Sequence, residues 1–81
     1  ANRDGNALTR IIIRDAGGPN EIARASRRTD YPIAAKSVYD WPRYGVRWQH
    51  WQLLIELAGA SPDALMKANE EIRGSPERAA A

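Results

Sequence analysis

The chain is 81 residues long, which allows a single domain with a small hydrophobic core. It has no cysteine and one histidine, His50, which excludes disulfides, thiolate metal sites and sites built from several histidines, so no cofactor is expected. The longest aliphatic runs, residues 11–13 and 53–55, are far too short to span a membrane, and no segment is typical of a signal peptide. We therefore expect a soluble, cytoplasmic protein with no membrane partner.

The net charge of +2 is unevenly distributed along the chain. Residues 1–50 carry nine Lys or Arg and five Asp or Glu, whereas residues 51–81 carry three and five. The excess is densest between Arg24 and Arg47, with six basic and two acidic residues. This asymmetry indicates either a face that binds a polyanion or an ordinary solvated surface, and charge alone does not separate the two.

Two glycines separate the first two predicted helices. Asn6 caps a helix over residues 6–16, and Gly17 and Gly18 end it. Gly18 and Pro19 then start a second helix that ends near residue 26 or 27. The stripe of the first helix expected to face the core comprises Leu8, Ile11, Ile12 and Ala16.

A polar, basic loop over residues 27–32 precedes the third predicted helix, which Pro32 opens and which covers residues 33–40. Val38 and Trp41, three positions apart, are expected to face the core. Pro42 disfavours a helical conformation at Trp41, so the helix is expected to end there. The residues expected on its outer side are Lys36, Ser37, Tyr39 and Asp40.

The last two predicted helices are the most apolar. The fourth covers residues 47–58, and the fifth begins with the cap Ser61 and Pro62 and ends at Arg73. We predict one domain over residues 1–74 and a disordered tail over residues 75–81. The main stripe of the fourth helix comprises Trp48, Trp51, Ile55 and Ala58, with Trp48 the candidate for the rim of the core.

The order of these elements is typical of helix-turn-helix proteins. In that motif the first short helix crosses the DNA backbone and the second lies in the major groove. Ala23 and Ala25 would let two short helices cross closely. The same order occurs in small helical bundles of other functions, so the layout alone leaves both interpretations open.

Three stretches resemble Cro-like, YdaS-type helix-turn-helix proteins of bacteria and phages. They are residues 17–25 (GGPNEIARA), residues 37–46 (SVYDWPRYGV, through its SVYDW and its Arg, Gly and Val), and residues 50–58, with HW, LI and LA. The resemblance covers about residues 7–72. It implies an all-α, lambda-repressor/Cro-like domain of about five helices and a nucleoid-associated transcription regulator that binds duplex DNA.

The chain departs from that family in the connection between the two motif helices. Ala25 and Val38 are several residues further apart than a tight turn requires, and the intervening loop is basic. The loop is either an extension that reaches a phosphate or the minor groove, or the sign of a motif that has lost base recognition.

The resemblance implies roles for individual residues. Lys36 and Asp40 would contact base edges from the second motif helix, and Ser37 would contact a base or a phosphate, with Tyr39 further along the helix. Contacts to phosphates would come from Arg27, Arg28, Thr29, Arg43, Arg47 and Gln49. Arg10 and Arg14 share a helix face and are either further phosphate contacts or ordinary surface residues.

A homodimer is expected, because one small module contacts few base pairs. Its interface would comprise Leu53, Leu57, Met66 and Ile72, although these residues equally suit the core between the last two helices. Two alternatives stay open: a module that docks on RNA polymerase, a sigma factor or another regulatory protein, and an antitoxin-like or lysogeny-type regulator that also holds a protein partner. An enzyme is not expected, because no catalytic set surrounds His50, which is predicted to be structural.

Overall fold

A computed structural model describes residues 5–74 of the chain. Within that range it contains five α-helices, one short 3₁₀ helix and no strand. The predicted all-α class is therefore confirmed for this range. The helices pack around one shared core. The expected tail over residues 75–81 lies outside the described residues. The helices are α1 Ala7–Asp15, α2 Pro19–Ser26, α3 Ala35–Tyr44, α4 Trp51–Ala58 and α5 Pro62–Arg73, and the 3₁₀ helix Trp48–His50 leads directly into α4.

The helix starts follow the capping residues of the sequence. The Asn6 side chain accepts a hydrogen bond from the Thr9 N–H at the start of α1, and Ser61 accepts one from Ala64 at the start of α5. Pro19 occupies the first turn of α2, where its missing N–H removes no helical hydrogen bond. These three helix starts confirm the predictions.

All five helices contribute residues to the core. Within it α3 packs against α2 and α5, and α1 packs against α4. Ile22, Val38, Leu54 and Leu65 are almost completely buried. Full burial of each such side chain contributes about 1.5–3 kcal/mol of transfer free energy, so they hold the helices in place. No helix within residues 5–74 is long and apolar enough to cross a membrane.

The inward face of α1 differs from the predicted stripe. Ile13 is buried together with Ile12 and Ala16, whereas Ile11 exposes 44% of its surface. Thr9 is also buried, and its hydroxyl is satisfied there because it donates to Asn6 Oδ1 at 3.0 Å. The helix is therefore rotated from the predicted orientation, so that Thr9 and Ile13 replace Ile11 on the buried face.

The bounds predicted for α3 were wrong at both ends. The helix starts at Ala35, two residues later than expected, and continues through Pro42 to Tyr44. Pro42 lacks the N–H that would bond to the Val38 carbonyl, but it lies in the last turn, so one helical bond is lost. Its buried ring packs against the backbone of Gly5, and its carbonyl accepts a hydrogen bond from the Asn6 N–H at 2.7 Å. Tertiary packing thus outweighs the local preference for a break.

The start of the fourth helix also differs from the prediction. Residues 48–50 form a 3₁₀ turn, and α4 begins only at Trp51. Trp48 exposes 74% of its surface, so it does not belong to the core stripe. Trp41 lies in the core as predicted, and Trp51 is half-buried with its Nε1 donating to the Val46 carbonyl at 2.9 Å.

Candidate nucleic-acid interface

One face of α3 is polar and exposed along its whole length. Lys36, Asp40 and Arg43 recur at helical spacing on the side opposite the buried Val38 and Trp41. Ser37, Tyr39 and Tyr44 are also exposed, and the two tyrosines expose 65% and 63% of their surfaces. The predicted outward orientation of Lys36, Ser37, Tyr39 and Asp40 is therefore confirmed.

A groove of about 630 Å³ opens beside the N-terminal end of α3. On its α2 side Asn20, Arg24 and Arg27 share one helix face, being four and three positions apart. Among the residues that the structure describes, these two arginines are the only charged side chains that line the groove. Arg24 also lies 3.7 Å from Glu21, but both side chains are exposed, so this ion pair is weak and leaves the guanidinium accessible.

The other wall of this groove, below called the α2–α3 groove, is the start of α3. Ala34, the residue before the helix, provides no side-chain cap, and the first turn contains no acidic residue. Backbone N–H groups of a first helical turn carry partial positive charge. The wall therefore adds to the positive potential of Arg24 and Arg27.

The loop over residues 27–34 is fixed by Ser26. The Ser26 side chain is fully buried, donates to the Ala23 carbonyl at 2.7 Å and accepts from the Ile33 N–H at 2.9 Å. This contact bridges the end of α2 and the residues before α3. It brings Arg27 and Ala35 to the same groove although the connection is longer than a tight turn.

Thr29 has a structural role within this loop. Its hydroxyl donates to the Ser26 carbonyl at 2.7 Å and accepts from the Tyr31 N–H at 3.1 Å. The single hydroxyl proton is thus used inside the loop, which weakens the prediction that Thr29 donates to a phosphate. Arg28 is exposed beside it, and Arg27 points into the α2–α3 groove.

His50 links the loop to the helices. Its buried ring lies 5.5 Å from the Trp41 ring and 6.4 Å from the Tyr31 ring, the latter in an edge-to-face contact. Desolvation, followed by the charge of Arg47, lowers the pKa of His50 below its ordinary value of 6.5. These contacts agree with the predicted structural role of His50.

The remaining predicted phosphate contacts lie at the other end of α3. Arg43 and Arg47 are exposed, and Gln49 is half-buried. The ten residues of α3 rise by about 15 Å, which separates these side chains from the α2–α3 groove. The predicted set thus divides into two groups, one at each end of α3.

The four residues predicted for a dimer interface do not share an exposed face. Leu53 and Ile72 are buried in the core, exposing only 8% and 5% of their surfaces. Leu57 is half-buried, and Met66 exposes 47%. Leu53 and Ile72 are therefore buried within one subunit, as the alternative required, and are not available for a dimer contact.

The sequence patterns did not identify two groups of residues that the structure brings out. Asn20 and Arg24 could have been found, because their spacing to Arg27 places all three on one face of a helix. Asn69 could not, because its partner Val46 is 23 positions away and only tertiary packing brings them together.

Comparison with protein-family models, with curated proteins and with solved structures gives no match for this chain.

Proposed function

We propose that the chain is a duplex-DNA-binding transcription regulator of the Cro-like helix-turn-helix type, with α2 and α3 as the motif. The observation that carries the proposal is the position of the polar face of α3 beside a groove that Arg24 and Arg27 line, with no carboxylate from residues 5–74 among its lining. A helix that enters the major groove needs an exposed polar face and basic groups beside it for the backbone phosphates.

Contacts to phosphates come from both ends of α3. Arg24 and Arg27 bind a phosphate at the α2–α3 groove, together with backbone N–H groups of the first turn of α3. Arg28, Arg43 and Arg47 contact further phosphates. These contacts supply most of the affinity and carry no sequence information.

Contacts to base edges come from the exposed face of α3. Lys36 donates to guanine, Ser37 contacts a neighbouring base, and Asp40 accepts from the amino group of cytosine. Asp40 lies between Lys36 and Arg43 on that face, and its carboxylate would repel a nearby phosphate. An orientation with Asp40 over the base edges avoids this repulsion.

One observation favours a second candidate, a protein-interaction module that docks on RNA polymerase or another regulatory protein. Trp48 is largely exposed and lies two residues after Val46. The Asn69 side chain hydrogen-bonds both the N–H and the carbonyl of Val46, which fixes this part of the backbone. Exposed tryptophans on a fixed backbone are frequent anchors of protein interfaces. Of the residues predicted for a homodimer contact, Leu57 and Met66 stay candidates, because they are half-buried and exposed.

The test is a selection of bound fragments from a pool of random duplexes at a low and a high salt concentration. A recovered motif with two related half-sites supports a dimeric, sequence-specific regulator. Recovery without a motif, lost steeply as salt rises, indicates backbone binding only. No recovery at low salt contradicts the proposal and favours the protein-interaction module.

A further inference from the structure

A second groove, of about 380 Å³, lies between α1, the start of α2 and α3. Its apolar floor includes Ile13 and Val38, and Pro19 and Pro42 form part of its walls. Arg10, Arg14 and Tyr39 also line it, so the polar side chains that the described residues contribute come from α1 and α3. We call it the α1–α3 groove.

The charged side chains that line this groove belong to two arginines of α1. Arg10 and Arg14 lie four positions apart on one face of α1 and are the only charged lining residues in the described part of the chain. Arg14 Nε lies 3.8 Å from an Asp15 carboxylate oxygen, and these side chains expose 76% and 51% of their surfaces. Such an exposed pair holds the guanidinium weakly and leaves it accessible to a stronger anion.

The α1–α3 groove is next to the α2–α3 groove. Pro19 lines the first and its neighbour Asn20 lines the second. Along α3, Ala35 belongs to one groove and Tyr39 to the other, a rise of about 6 Å. Four arginines therefore follow one flank of α3, and within residues 5–74 no carboxylate lines either groove.

We infer that the α1–α3 groove is a second phosphate site, at which Arg10 and Arg14 clamp the backbone of the strand that Arg24 and Arg27 bind. The inference rests on the proposed function and extends it, because it assigns α1 to the DNA interface. The guanidinium groups donate to the phosphate oxygens, and the exposed Tyr39 hydroxyl donates from the side of α3. The apolar floor accommodates the neighbouring deoxyribose.

The test compares two variants that each lose two positive charges. Arg10→Gln/Arg14→Gln removes the pair on α1. Lys67→Gln/Arg73→Gln removes two exposed charges from α5, which contributes no residue to either groove. The binding of each variant and of the parent protein to a fluorescent duplex is measured by anisotropy over a series of salt concentrations. All four residues are exposed, so both variants should retain the circular dichroism spectrum of the parent protein.

The expected result is specific to α1. For Arg10→Gln/Arg14→Gln the negative slope of log K against log salt becomes less steep by about 1.8, because two phosphate contacts are lost. The affinity of this variant falls about tenfold or more. The α5 variant changes affinity by less than about twofold, since its charges act only from a distance. Tyr39→Phe weakens binding without a change of slope, because it removes a hydroxyl and no charge.

The outcomes separate the inference from the proposed function. If the parent protein binds duplex DNA and the two charge variants lose affinity equally, α1 makes no phosphate contact and the inference is wrong. Unchanged binding by both variants contradicts it as well. If the parent protein itself does not bind at low salt, the proposed function fails and the inference fails with it.

Discussion

The side-chain amide of Asn69 hydrogen-bonds both polar groups of the Val46 backbone. Asn69 Oδ1 accepts from the Val46 N–H at 2.9 Å, and Asn69 Nδ2 donates to the Val46 carbonyl at 2.8 Å. Val46 is buried, and its carbonyl also accepts from Trp51 Nε1 at 2.9 Å. One side chain of α5 therefore fixes the segment that leads from α3 to Trp48.

Asn69→Ala should destabilise the fold by about 2 kcal/mol. The substitution leaves the buried Val46 N–H without its acceptor, which costs more than an exposed hydrogen bond contributes. Urea denaturation measures the change, with the exposed Lys67→Ala on the same helix as the control. A loss equal to that of the control would show that the contact adds nothing to stability.

Gly5→Ala should destabilise the fold more than Gly59→Ala. Both glycines have positive φ, of 89° and 69°, so each substitution introduces backbone strain of about 1 kcal/mol. A Cβ at Gly5 would also lie 2.5 Å from the Pro42 Cβ, whereas a Cβ at Gly59 meets open space. This overlap adds about 1–3 kcal/mol. Equal losses in urea denaturation would contradict the close packing of Gly5 on Pro42.

The stability of the protein should fall as the pH is lowered through the ordinary pKa of histidine. The pKa of His50 is lowered in the folded state, so near pH 6.5 the unfolded chain binds more protons than the folded one. The loss of stability begins as the pH falls through about 6.5 and ends once the pH is below the folded-state pKa of His50. Urea midpoints between pH 8 and pH 5.5 measure it, and His50→Phe should flatten the profile. An unchanged slope in this variant would assign the dependence to another group.

Trp48 should dominate the solvent-exposed fluorescence of the protein. Trp48→Phe is expected to shift the emission to shorter wavelength and to lower the accessibility to acrylamide, because Trp41 is buried and Trp51 is half-buried. Trp51→Phe is the matched variant and should leave most of the quenching unchanged. Equal quenching of the two variants would mean that Trp48 is covered in solution, as a contact between copies of the chain would do.

Variants of α3 and of the α2–α3 groove should affect DNA binding differently. Lys36→Ala and Ser37→Ala are expected to relax the preference at single base positions by about 1–3 kcal/mol. Arg27→Gln should weaken binding to all duplexes alike and lower the salt slope by about 1, as a lost phosphate contact does. Binding to a selected and a random duplex is compared for each variant, with Lys67→Gln as the charge control. Equal effects of both sets on the two duplexes would contradict the division into base and phosphate contacts.

Short-range features of the sequence predicted most of the helix positions. The caps Asn6 and Ser61 and the first-turn prolines Pro19 and Pro62 act within one turn, so their effect could be inferred without the fold. The outward face of α3 followed from helical spacing, and the position of Arg24 on one helix face with Arg27 could have been inferred in the same way.

The amino-acid sequence by itself determined the all-helical class of residues 5–74, their five α-helices and the polar face of α3, because periodicity and capping are local properties of the chain. Only the tertiary structure decided that α3 continues through Pro42, that Ile13 replaces Ile11 in the core and that Trp48 is exposed. Those outcomes depend on contacts between distant residues, such as Gly5 with Pro42 and Asn69 with Val46. The free energy of such packing exceeds local conformational preferences. The arginine grooves beside α3 also depend on how the helices pack, so they are visible only in the folded chain.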